Sequence, residues 1–142
     1  MNNKNNNTIF SQIISRKIPS YIIYEDNEII SFLDINQFTK GHTLVVTKQE
    51  YTNIIEVPEN IFLHLFKIVQ KISKTLIKTF QTKGLNIINN NGSIAGQTIF
   101  HFHVHLLPRF NEKEIIFNFN KNNKLNADYF KKIQKKIINN FE

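Results

Sequence analysis

His101-Phe102-His103-Val104-His105-Leu106-Leu107-Pro108-Arg109 is the stretch from which the rest of the chain is read. Histidine alternates with apolar residues at a period of two, the period of a β-strand. The three imidazoles are therefore expected on one strand face, about 6.5–7 Å apart, with Phe102, Val104 and Leu106 on the other. One face is then buried and the other is free for chemistry.

Asn89-Asn90-Asn91-Gly92-Ser93-Ile94-Ala95-Gly96-Gln97-Thr98 joins this strand to an earlier apolar run, Leu85 to Ile88. Strands are expected over 85–89 and 98–107. The polar, glycine-containing turn between them can offer backbone N–H groups, amides and hydroxyls to an anion such as phosphate, although its composition also suits an ordinary loop. Upstream, between Glu56 and Phe80, Ile61, Leu65, Ile68, Val69, Ile72, Leu76 and Phe80 recur at helical spacing with Lys67, Lys71, Lys74 and Lys78 on other faces, which predicts one long helix. Ile22 to Tyr24 and Ile29 to Leu33 flank Glu25-Asp26-Asn27-Glu28 as a hairpin, and Thr43 to Thr47 reads as a further strand. Ile9, Phe10, Ile13 and Ile14 suggest a short first helix ending near Pro19. Asn126 can cap a last helix whose stripe is Phe130, Ile133, Ile137 and Phe141, read as a packing stripe in preference to a membrane one. Ile115, Ile116, Phe117 and Phe119 are expected to find cover. The fold class is α+β, with about five strands in one antiparallel sheet.

Three imidazoles on one face admit three readings. Two of them could chelate a metal, but the stretch has no cysteine, and no Asp or Glu lies between His64 and Glu112 to complete a ligand set. They could be packed core histidines, but each buried ring then needs partners for its nitrogens and clustered charge is expensive. The third reading is catalysis, since neutral imidazole is a nucleophile and, once protonated, a proton donor.

The 142 residues suit one domain, not two, with enough chain to bury a hydrophobic core. The 18 Lys and Arg outnumber 11 Asp and Glu to give a net charge of +7. The lysines are dispersed and no nucleic-acid motif accompanies them, so the charge is read as background of an Asn-, Lys-, Ile- and Phe-rich sequence and not as a nucleic-acid site. It can still attract nucleotide anions. With no cysteine, disulfides and thiol catalysis are excluded. Residues 1–7 are Asn-rich and expected to be disordered. No apolar run is long enough to span a bilayer and no secretory pattern follows Met1, so the expectation is a cytoplasmic protein with no membrane partner.

The chain resembles the histidine triad, or HIT, family. His101 to Leu107 matches the family pattern His-φ-His-φ-His-φ-φ, with φ apolar. The likeness continues through Ile9-Phe10, Ile18-Pro19, Phe32-Leu33-Asp34, Gly41-His42, Gly96-Gln97-Thr98 and Pro108-Arg109, in the family's order, over about three quarters of the chain. It divides the sequence into a HIT domain over 8–110 and a divergent tail over 111–142. The resemblance implies a HIT-like fold and a hydrolase or transferase that needs no cofactor and no metal. His103 would attack an α-phosphorus and His105 would contact the phosphate and assist the leaving group, while His101 and His42 would support tautomer and ring orientation. It further implies phosphate contacts from Asn90, Gln97 and Thr98, ribose hydroxyls on Asp34, and a purine slot lined by Ile9, Phe10, Ile18, Phe32 and Ile35. Asn90 is similar to the Hint-like phosphoramidase branch, whereas Pro108-Arg109 is similar to the branch that cleaves dinucleoside polyphosphates. The expected activity is release of AMP from purine nucleoside phosphoramidates or aminoacyl-adenylates by a homodimer. A dinucleoside polyphosphate hydrolase and a nucleotide-binding scaffold without turnover are the alternatives.

Overall fold

The structure, a computed structural model, describes residues 8–141. The expectation of disorder over 1–7 lies outside the described residues. Strands β1 (Ile22–Glu25) and β2 (Ile29–Leu33) form the expected hairpin, closed by Asp26, whose Oδ1 accepts from the backbone N–H groups of Glu28 and Ile29 at 2.8 Å each. β3 (Thr43–Thr47), β4 (Gly84–Ile88) and β5 (His103–Arg109) complete an antiparallel sheet of order β1-β2-β3-β5-β4. With α1 (Ile9–Ile14), α2 (Glu59–Phe80) and α3 (Ala127–Asn139), this is an α+β fold with an open five-stranded sheet and one long helix.

The period-two pattern of the central strands builds two cores. Ile29, Val45, Phe102, Val104 and Leu106 meet Leu65, Ile68, Val69, Ile72 and Leu76 of α2 on one side of the sheet. Each fully buried side chain of this kind contributes about 1.5–3 kcal/mol of transfer free energy, so the α2 stripe is the main anchor of the fold. On the other side, Ile30, Phe32, Leu44 and Val46 pack against Phe10 and Ile13 of α1. α1 covers only part of that face, and the remainder is where the polar side chains collect.

Several boundaries differ from the sequence reading. α2 begins at Glu59, after Pro58, which sits in extended geometry where a helical φ/ψ pair would be needed to start earlier. α1 stops at Ile14, well before Pro19, because Arg16 adopts a positive φ of 62° and the Lys17 and Ile18 N–H groups turn back to the Gln12 carbonyl. β5 begins at His103, not Thr98: the Phe102 N–H donates to the Tyr51 carbonyl and the Gln97 amide to the carbonyls of Thr52 and Ile99, so residues 98–102 bond to a loop and not to a strand. α3 has the expected Asn126 cap, but none of its residues is buried, and Ile116, Phe117 and Phe119 are exposed too. The expected packing of this tail is therefore absent among the described residues. No described helix is long and apolar enough to cross a membrane.

Candidate active site

Register decides which residues meet. In the β3–β5 ladder Leu44 faces His105 and Val46 faces His103, so both histidines lie on the α1 side of the sheet. His42 enters from the residue before β3, on the same face as Leu44 and Val46. It is delivered there by Gly41, whose φ of +84° and close approach to the Phe80 ring leave no room for a β-carbon. The ring centroids of His103 and His105 lie 4.9 Å apart and those of His42 and His105 5.2 Å apart. His101 is on the same, α1-facing side, since Phe10 touches both its ring and that of His103, but it does not line the cavity. It precedes β5 and is fully buried, with its ring pointing into the packing between α1 and the end of β3.

Hydrogen bonds set the proton positions. His103 Nδ1–H donates to the His101 carbonyl at 2.6 Å, so Nε2 of a neutral His103 carries a lone pair and no hydrogen. The His101 ring does not touch His103 through a hydrogen bond: its Nε2–H donates to the Thr47 carbonyl at 2.6 Å and its Nδ1 takes the Thr8 hydroxyl at 3.0 Å. The expected support of His103 by a hydrogen bond from the His101 ring is not seen: the His101 backbone carbonyl makes that contact. His42 Nε2 and His105 Nδ1 lie 2.9 Å apart and share one proton. With His42 Nδ1–H donated to the Asn36 carbonyl at 3.1 Å, that proton belongs to His105. With the Phe38 N–H capping a bare His42 Nδ1 at 3.4 Å, it belongs to His42, and His105 then presents Nε2–H outward.

Burial is the first cause of a lowered pKa at all four rings. At His42 the Asp34 charge and the Asn36 hydrogen bond oppose it, and at His103 the His101 carbonyl does. His105 falls to about 4, because burial is reinforced by the positive charge that His103 and His42 would carry. The cluster is uncharged at neutral pH, as a nitrogen nucleophile requires.

His103 and His105 form one wall of a cavity of about 560 Å³. Ile9, Phe10, Ile18, Phe32 and Ile35 all line it, and Asp34 and Thr98 stand at its polar end. Phe10 packs edge-on against His103 with centroids 4.9 Å apart. Asp34 directs Oδ1 to the Asn36 N–H at 2.8 Å and Oδ2 to within 3.6 Å of His42 Nε2. Gln97 is not brought to the cavity. Its amide donates to the Thr52 and Ile99 carbonyls and accepts from the Gly92 N–H, so it holds the loop together and is not directed at the cavity where a phosphate contact was expected. Asn90 lies against Gly96 on the same loop and does not line the cavity.

Two contributors escaped the sequence reading. Phe38 is a lid over the histidines, 4.8 Å from the His42 ring and 6.4 Å from that of His105 between centroids. An exposed Phe among Gln37, Thr39 and Lys40 just before Gly41-His42 was the available signal. Gln37 ties the loop by donating to the Asp34 and His42 carbonyls and accepting from the Gly41 and His42 N–H groups. Among the described residues, Asp34, His42 and His105 place one potential ligand atom each within 4.8 Å of one another. Two nitrogens and a carboxylate oxygen are a donor set that zinc accepts, and occupying it would break the His42–His105 hydrogen bond.

Fold and site together define a class of protein in which an open antiparallel sheet carries a histidine cluster at the wall of a cavity, and comparison with known proteins gives the family. The HIT domain family model matches residues 15–112, and the chain belongs to the HIT family. It is 45% identical over 104 residues to Protein hit of Bacillus subtilis, covering 73% of this chain and 72% of that one. It is 35% identical over 104 residues to adenylylsulfatase HINT3 of Arabidopsis thaliana, covering 73% of this chain and 53% of that one. Among solved structures, a HIT family member from Bacillus subtilis superimposes with a TM-score of 0.90 at 36% identity, covering 96% of this chain and 98% of that one. A histidine triad nucleotide-binding protein from Candida albicans gives 0.84 at 28% identity, covering 94% and 96%. The chain therefore stands in a superfamily of nucleotide-binding proteins that includes nucleotide hydrolases.

Proposed function

We propose that this protein cleaves purine nucleoside 5′-phosphoramidates or aminoacyl-adenylates through a nucleotidyl-His103 intermediate and releases AMP. The observation that carries the reading is the unprotonated Nε2 of neutral His103 on the wall of a nucleotide-sized cavity, with its proton fixed on Nδ1 by the His101 carbonyl. Nε2 attacks the α-phosphorus, a P–N bond to His103 forms, and the bond to the leaving amine or carboxylate breaks. A phosphate oxygen needs a donor, so substrate selects the arrangement in which His42 donates to His105 and His105 presents Nε2–H. For an amine leaving group, the anionic phosphate draws a solvent proton onto the His42–His105 pair; the pair then passes the His105 Nε2 proton to the departing nitrogen and is left neutral in its other arrangement, with His42 Nδ1–H on the Asn36 carbonyl and His105 Nε2 bare. Water then attacks the phosphorus, gives a proton to His105 Nε2 and frees His103, and the pair returns that proton to solvent. The Thr98 hydroxyl supplies a further donor to the phosphate, Asp34 takes the ribose hydroxyls, and the apolar wall of Phe10, Phe32 and Ile35 accepts the base. None of these steps calls for a metal. We further propose a cytosolic homodimer formed through α2 and the neighbouring edge strand β4, where Leu63, Ile77 and Ile87 are exposed; sedimentation at two concentrations tests the dimer and cell fractionation the location.

The deciding assay follows AMP release by EDTA-treated protein from adenosine 5′-phosphoramidate, diadenosine polyphosphate and adenosine 5′-phosphosulfate, with His103→Ala in parallel. Fastest release from the phosphoramidate, lost in His103→Ala, is the expected result. Preference for the dinucleotide or the phosphosulfate reassigns the substrate. AMP binding with no turnover of any of the three replaces the enzyme by a binding protein.

A further inference from the structure

A run of side chains that this chemistry does not use fastens α1 to the histidine stretch. Glu50, in the loop after β3, accepts the Ser11 hydroxyl hydrogen at 2.8 Å. The Ser11 backbone N–H donates to Thr8 Oγ1 at 3.1 Å, which is also the N-cap bond of α1. The Thr8 hydroxyl lies 3.0 Å from His101 Nδ1, and His101 Nε2 lies 2.6 Å from the Thr47 carbonyl. A carbonyl only accepts, so Nε2 of His101 holds the hydrogen and Nδ1 accepts from Thr8. Every hydrogen in the series is used once, and the 3.1 Å contact between the Ser11 and Thr8 hydroxyls needs none.

The series ends one atom group from the proposed nucleophile. The His101 carbonyl is the acceptor for His103 Nδ1–H, and the following N–H, of Phe102, donates to the Tyr51 carbonyl at 2.6 Å. Glu50 and Tyr51 are consecutive, so one loop grips the peptide unit after His101 by its N–H and the His101 ring through α1. We propose that Glu50, acting through Ser11, Thr8 and His101, is a positioning residue that holds the His101 carbonyl where it keeps the His103 proton on Nδ1 and the Nε2 lone pair toward the cavity. The kinetic half of this proposal rests on His103 being the nucleophile, and the tautomer half does not.

The test uses the full chain. Ser11→Ala cuts the link while leaving the N–H that caps α1 and a residue of higher helix propensity, so its folding is secure. Glu50→Ala cuts the link at its other end, and Glu50→Gln retains an acceptor oxygen. Imidazole ¹⁵N shifts of His103 report its tautomer, and kcat and KM are measured on adenosine 5′-phosphoramidate. Expected are a single Nδ1–H tautomer in the wild type and in Glu50→Gln, and a mixture in Ser11→Ala and Glu50→Ala. The latter two should lose roughly tenfold in kcat, less than the roughly hundredfold that a 1 Å misplacement of reacting groups can cost, with KM changed less than about twofold. A lowered melting temperature with an unchanged His103 tautomer would make the series merely structural and overturn the proposal. So would a Glu50→Gln protein as impaired as Glu50→Ala. If the wild type turns over no substrate, the tautomer measurement alone decides the positioning role, and the enzyme reading fails separately.

Discussion

Replacing Gly41 by Ala probes how the loop carrying His42 is seated on the end of α2. A β-carbon there would lie 2.3 Å from Phe80 Cε2 and 2.7 Å from Cζ, at a φ of +84°. The backbone conformation costs an L-residue about 1–2 kcal/mol, and relieving the overlap by moving a packed ring costs about 1–3 kcal/mol more. The sum is about 2–5 kcal/mol, to be read from urea unfolding midpoints at constant slope. The two parts separate in the Phe80→Leu background, because leucine lacks the ring atoms that collide. There Gly41→Ala should cost only about 1–2 kcal/mol, the backbone share. Equal costs in both backgrounds would refute the steric argument and leave only the dihedral. Turnover should fall in Gly41→Ala beyond what stability explains, since the Gly41 and His42 N–H groups share Gln37 Oε1 and move together.

Burial lowers His103 below its ordinary 6.5, so its neutral form persists into mildly acidic solution, and with His103 as the proposed nucleophile the acid limb of kcat/KM should lie below that value. Phe10→Ala, which admits water beside the ring, should move the limb upward, and a profile unchanged by that substitution rejects burial as the cause. Burial alone would raise the Asp26 carboxyl, but hydrogen bonds from Tyr24, the Glu28 N–H, His64 and the Ile29 N–H outweigh it and hold it far below 3.8. A depressed carboxyl stabilises the fold above its unfolded value, and the contribution is lost as pH falls below 3.8 toward the folded value. Asp26→Asn should lower stability at pH 7 and flatten this acid decline; parallel stability curves for the two proteins would contradict it. Added zinc should suppress turnover by occupying Asp34, His42 and His105, with recovery in EDTA; a rate indifferent to zinc shows that the ion does not enter the site.

β2 and β3 were legible to the residue because each is a run of apolar and β-branched side chains closed off by turn residues. The α2 stripe was equally plain. The start of β5 was not, because Phe100 and Phe102 prolong the alternating pattern while the carbonyls that hold this stretch away from the sheet, Tyr51 on the Phe102 N–H and Thr52 on the Gln97 amide, lie in a remote loop. The histidines and the residues around the cavity carried a pattern; the direction of the Gln97 amide and the division of labour between the His101 ring and its carbonyl did not, being matters of side-chain rotation. Glu50 had no signal of its own, since a carboxylate in a polar loop is ordinary until its partner is seen. The tail illustrates the converse: the α3 stripe was readable as a helix, but periodicity names the apolar face and not what covers it.

The strand order also governs when the site can come into being. β1, β2 and β3 are neighbours in sequence and can zip as a local meander soon after they are made. β5 docks beside β3 only after α2 and β4 have emerged, and it brings His103 and His105 with it. A refolding chain should therefore gain hairpin protection early and nucleotide affinity only in its last kinetic phase. A nascent chain that stalls between β3 and β5 has the hairpin and β3 but lacks both His103 and His105.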